Sequence, residues 1–101
     1  MDTRSKILDI AMNLNRVGNW AADGYAKKQN RIIQFLNQTS NYVNSIDEAK
    51  FSGSFKKTFN LFLKDYHRLE EEGLRKPKDE LYWAERMMTW GNILTHRSKL
   101  I

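Results

Sequence analysis

The stretch Asn19-Trp20-Ala21-Ala22-Asp23-Gly24-Tyr25-Ala26-Lys27-Lys28 (NWAADGYAKK) decides how this chain is laid out. Asp23-Gly24 is either a turn between two helices or an interior point of one very long helix. Before it, Ile7, Ile10, Ala11, Leu14, Val17, Gly18 and Ala21 form one apolar stripe over residues 3–22, at about 100° per residue. After it, Ile32, Phe35, Leu36, Thr39, Val43 and Ile46 form another over residues 25–46. The two stripes are in phase, within about 40° of Ile7 for most positions. A continuous helix over 3–46 would be about 65 Å long, and one interior glycine costs it only about 1 kcal/mol.

Two further stripes lie downstream. Residues 54–72 carry Phe55, Phe59, Phe62, Tyr66 and Leu69, and residues 78–98 carry Leu81, Ala84, Met88, Gly91 and Thr95. Both have the spacing of a helix face, and no segment alternates with the two-residue period of a strand. The joints between them are marked. In EEGLRKPKDE, Gly73 suits a left-handed C-terminal cap, Pro77 cannot continue a helix, and Asp79 can open the next one. In NSIDEAKFSGS, Ser45 and Glu48 have capping-box spacing, Gly53 interrupts, and Ser52 or Ser54 can cap the third helix.

With a turn at Asp23-Gly24 the four helices have nearly equal length, about 20 residues each, joined by short loops. That pattern predicts a single all-α domain over residues 1–101, an antiparallel up-down-up-down four-helix bundle. The alternative is three helices, one of them running unbroken over 3–46. Half of that helix would then lack cover within the chain, which requires a dimer.

Composition agrees with one small folded domain. The 101 residues are 41% hydrophobic and 29% charged, outside the range of disordered chains. With no cysteine, disulfides and cysteine-based metal or redox sites are excluded. The N-terminal MDTRSKILDIAMNLNR lacks the pattern of a secretion signal, and no run reaches the roughly 20 apolar residues of a membrane span, so a soluble, intracellular, cytoplasmic protein is expected. Net charge is +5, from 17 Lys and Arg against 12 Asp and Glu. Lys27, Lys28, Arg31, Lys56 and Lys57 are the candidate contacts to an anion or a nucleic acid.

No arrangement of residues predicts catalysis, a metal or another cofactor. The five glycines are isolated and form no phosphate loop. His67, in KDYHRLEEE, is the candidate for a phosphotransfer-like role, the histidine being followed by Leu69 as in phosphotransfer bundles. Glu70 and Glu71 stand where those bundles have Lys and Gly, and two carboxylates repel an incoming phosphoryl group. His96 falls in the last turn of the fourth helix, where a cation suits the helix dipole.

The fourth helix carries an apolar excess. Beside its Leu81–Thr95 stripe runs a second seam of Trp83, Met87, Trp90 and Leu94, spaced 4, 3 and 4. Together they span an arc of about 180°, wider than a surface helix needs, and Tyr82 and Ile93 lie outside even that. Trp20, off the stripe of the first helix, extends the same excess. These five residues, Trp83, Met87, Trp90, Leu94 and Trp20, are the candidate partner interface. The functional expectation is a non-enzymatic protein-interaction or regulatory module, homodimeric through the fourth helix or docking another protein. A basic nucleic-acid-binding bundle is the first alternative and a phosphotransfer-like protein using His67 the second.

Overall fold

Gly24 adopts φ +129°, which an L side chain rarely adopts, and there the chain turns back on itself. A computed structural model describes residues 2–101. Helix α1 (Thr3–Gly24) ends at this glycine, a 3₁₀ turn (Tyr25–Lys28) comes next, and α2 (Gln29–Asn44) returns along α1. The backbone is therefore helical almost throughout Thr3–Asn44, yet it is a bent helix, not a straight one. The molecule measures 38 × 22 × 19 Å, which overturns the unbroken 65 Å helix and removes the uncovered half that made a dimer necessary. The two in-phase stripes face each other across the bend instead of continuing along one rod.

Tyr25 holds the bend in place. Its ring is fully buried, its backbone N–H donates to the Glu80 carboxylate at 3.0 Å, and its hydroxyl donates to the Gly73 carbonyl. Burial raises the Tyr25 phenol above its ordinary value, and the nearby Glu80 charge adds to this. The turn is thus tied to the far ends of the other two helices.

Helix α3 (Gly53–Arg75) and helix α4 (Glu80–Arg97) complete an all-α fold, with no strand among the described residues. Side-chain contacts fix the directions. Asn13 on α1 meets Gln38 on α2 at 3.1 Å while Trp20 meets Phe35, and Ser40 on α2 bonds to the Glu70 carboxylate on α3 while Leu36 faces Gly73. The indole of Trp83 on α4 donates to the Leu69 carbonyl of α3 at 2.9 Å, while Trp90 reaches back to Asp65 at 2.7 Å. A rising number on one helix meets a falling number on the next, so successive helices run in opposite directions. Helix α4 closes the circuit by packing on α1.

The core is drawn from the expected stripes of the first three helices. The α1 stripe from Ile7 to Ala21 is buried throughout, as are Phe55, Phe59, Phe62, Tyr66 and Leu69 on α3. On α2, Ile32, Leu36, Thr39 and Val43 are buried, with Phe35 and Ile46 partly so. Helix α4 departs from expectation. Its inward face is Trp83, Ala84, Met87, Trp90, Gly91 and Leu94, and two members of the expected stripe, Leu81 and Thr95, are exposed. The reason is volume: the wide gap between α3 and α4 is filled by tryptophans, not by leucine and threonine.

Two caps also differ. Gly73 lies within α3 rather than capping it, and the positive φ falls on Lys76 at +76°. A Cβ on Gly73 would stand 2.5 Å from the Trp83 ring and 2.6 Å from Leu36, so the glycine is there to admit the indole. Ser45 ends α2 and bonds back to Tyr42, whereas Asp47 caps the short 3₁₀ turn Glu48–Lys50. Asp79 caps α4 through the Tyr82 N–H at 2.9 Å, as its position suggested.

Candidate functional site

Helix α4 has two unlike flanks. Toward α1 the contact runs through small residues such as Gly18, Ala84 and Gly91, and the two helices pack closely. A Cβ at Gly18 would meet the Ala84 carbonyl oxygen at 2.9 Å and Met88 Cγ at 2.5 Å. Toward α3 the spacers are aromatic. Phe62 packs edge-on against Trp90, with ring centroids 5.5 Å apart, and is itself part of a run from Phe51 through Tyr66. Bulky rings hold α3 and α4 further apart, and the outer side of that seam is left as a groove.

The groove has a volume of about 410 Å³ and is predominantly apolar. Leu61, Trp90 and Ile93 form its lining, with Thr58 beside them and Ser54, Lys57 and Arg97 at its edges. The Thr58 hydroxyl is used on the Ser54 carbonyl at 3.1 Å, so it offers the groove mainly its methyl group. Leu61 is 60% exposed although its helix buries five aromatic and aliphatic side chains on the other face. An exposed leucine beside a recessed tryptophan and isoleucine is a contiguous apolar patch of the sort that marks interaction sites.

Asp65 on α3 is the polar partner of the Trp90 indole. Its Oδ2 accepts from the Trp90 indole at 2.7 Å and from the Arg86 guanidinium, and its Oδ1 accepts from Arg68 at 3.3 Å. Partial burial alone would raise the Asp65 carboxyl. The hydrogen bonds from Trp90 and Arg86, with the Arg86 and Arg68 charges, outweigh it and hold the carboxyl below its ordinary value. The carboxylate fixes the Trp90 ring, and with it the floor of the groove.

The residues expected to form a partner interface are placed differently. Trp83, Met87 and Leu94 are essentially inaccessible, and Trp90 is 8% exposed. That seam is core, because each large side chain finds its cover within the same chain, Trp83 and Trp90 on α3. Trp20 is half-buried at the α1–α2 seam, edge-on to Phe35 at 5.0 Å and under the Arg31 guanidinium at 5.8 Å. It is remote from the α4 seam and does not extend it. Of the five, only Trp90 touches the groove, through its outer edge. Leu61, Ile93 and Arg97 were missed. The available signal was Leu61 standing off the phenylalanine stripe and Ile93 standing off both α4 seams.

The basic candidates are also separated. Lys27, Lys28 and Arg31 lie just past the bend, at the end of the molecule where Tyr25 meets Gly73 and Glu80. Lys56 and Lys57 begin α3 at the opposite end, where Lys57 shares the groove with Arg97. They form no single basic face. His67 and His96 are both exposed, on different helices. No three His, Asp or Glu side chains gather as a metal site requires, among the described residues. No helix among them is long and apolar enough to cross a membrane.

Ser40, Tyr66 and Glu70 form a polar knot between α2 and α3. The Ser40 hydroxyl donates to Glu70, and the Tyr66 hydroxyl lies 2.8 Å from Ser40 Oγ and 3.3 Å from the Leu36 carbonyl. Burial pushes the Tyr66 phenol far up, opposed by the Ser40 hydrogen bond and reinforced by the Glu70 charge. It is a neutral buried hydroxyl that ties two helices together. No known protein family, characterised protein or solved structure matches the chain.

Proposed function

We propose that this chain is a non-enzymatic protein-interaction module, a four-helix bundle that presents the groove between α3 and α4 to a partner. The observation that carries the reading is Leu61, 60% exposed beside the apolar floor made by Trp90 and Ile93. The fourth helix takes part through its outer edge, Ile93 and Arg97, in place of the Trp83–Leu94 seam. A groove between two helices is the ordinary receptor for an amphipathic helix, which inserts apolar anchors at i, i+3, i+4 and i+7.

The test is a two-dimensional NMR titration of the whole isotope-labelled chain with a helical peptide bearing leucines at that spacing and glutamines elsewhere. Shifts confined to Ser54–Leu61 and Trp90–Arg97, and lost in the Leu61→Ser, Ile93→Ser double variant, are expected. Shifts scattered over the surface, or unchanged in the double variant, would overturn the reading.

A further inference from the structure

The groove's charge names the kind of helix that fits it, given the interaction reading above. We propose that its occupant is an acidic amphipathic helix of a partner protein. Over the part of α3 from Ser54 to Arg68, Lys56, Lys57, Lys64 and Arg68 are opposed by one acidic residue, Asp65. Over the part of α4 from Arg86 to Arg97 there is no acidic residue at all. Asp65 is already engaged by Arg86, Arg68 and Trp90. Lys57 and Arg97, one on each wall, form no ion pair within the chain among the described residues. An apolar floor between two unpaired cationic walls is the complement of a helix with an apolar stripe and carboxylates on either side.

The dimensions agree. From Ser54 to Leu61 the α3 axis advances about 10 Å, the same as the i to i+7 span of a guest helix. Other occupants fit less well. A second copy of this chain would bring Lys57 and Arg97 against their own equivalents, with a net charge of +5 on each side. A membrane surface would engage the protruding Leu61 but leave the recessed Trp90, 8% exposed, without cover. A single-stranded nucleic acid needs an open aromatic face to stack on, and the Trp90 ring is held edge-on to Phe62 with its N–H spent on Asp65.

The experiment compares three labelled helical peptides of about 16 residues by fluorescence anisotropy on the full chain. All carry the same leucine anchors, and their flanking positions are Glu, Gln or Lys. Expected is binding of the Glu peptide roughly tenfold tighter than the Lys peptide at about 50 mM salt, narrowing at high salt. The Lys57→Glu, Arg97→Glu double variant, altered only at exposed positions, should invert that order while keeping its helical circular dichroism. Equal binding of all three, sensitive to Leu61→Ser, overturns the acidic occupant and leaves the groove reading intact. Binding of none, or binding indifferent to Leu61→Ser, overturns both. Leu61-dependent binding to phosphatidylserine vesicles, or a Leu61-dependent dimer by sedimentation, in place of peptide binding assigns the groove to a lipid surface or a second copy and overturns the proposal.

Discussion

Trp83 and Trp90 are two turns apart on the same face of α4, and both turn toward α3. Trp83 is sealed: 1% exposed, its ring seated over Gly73, its indole N–H donated to a backbone carbonyl. Trp90 is nearly as buried, yet its N–H goes to a carboxylate and its outer edge floors a groove. Identical residues on one stripe have unlike roles because their opposing surfaces differ. Opposite Trp83 stands a glycine, which lets the ring sink. Opposite Trp90 stand Phe62 and Asp65, which hold it level. The same contrast separates the two flanks of α4, closed by small residues toward α1 and propped open by rings toward α3.

The largest effect that bears on this contrast is expected from Trp83→Ala. It empties the sealed end of the seam and should cost about 3–5 kcal/mol, read as a lowered urea midpoint. If Trp90→Ala were equally damaging, the distinction between a sealed and an open end would fail. Next comes Gly18→Leu on the closed flank. With Ala84 backbone 2.9 Å from the first added atom, the helices must separate, at a cost of about 1–3 kcal/mol. Gly24→Ala strains the bend at φ +129° and should cost about 1–3 kcal/mol without changing the helical content.

Asp65→Asn probes the open end through pH. The folded protein holds the Asp65 carboxyl below its unfolded value, so its contribution is complete above the ordinary carboxylate range near 4 and is lost as pH falls through the folded value. The variant should therefore lose stability at pH 7 and lose less of what remains on going to pH 2, in paired denaturant titrations. Smallest is Leu61→Ser, which removes an exposed side chain from the groove rim. It should alter stability by under about 0.5 kcal/mol while abolishing peptide binding, which separates a recognition surface from a structural one.

Much of this fold is readable from residue spacing. The α1 and α3 stripes are buried as their periodicity requires, Asp79 caps α4 as expected, and α3 starts at the Gly53 interruption, although Ser52 before it makes no side-chain cap bond. The candidate site was far less legible. Trp83, Met87 and Leu94 looked like surplus because the apolar demand of α4 was measured against an average helix, whereas α3 offers it an unusually wide aromatic face. Gly73 looked like a cap, since a glycine near a helix end and a glycine making room for a ring are indistinguishable without the ring.

By itself the sequence determined that the chain is helical, which residues of α1, α2 and α3 seek burial, and where a positive backbone angle is cheapest. Whether Gly24 bends the chain was decided by tertiary structure, because two in-phase stripes serve a straight rod and a folded-back pair equally well until Tyr25 finds Gly73 and Glu80. Tertiary structure likewise decided which seam of α4 is core and which edge is open. Periodicity states that a stripe must be covered; only the volumes and backbone approach of the neighbouring helices decide what covers it and what is left over.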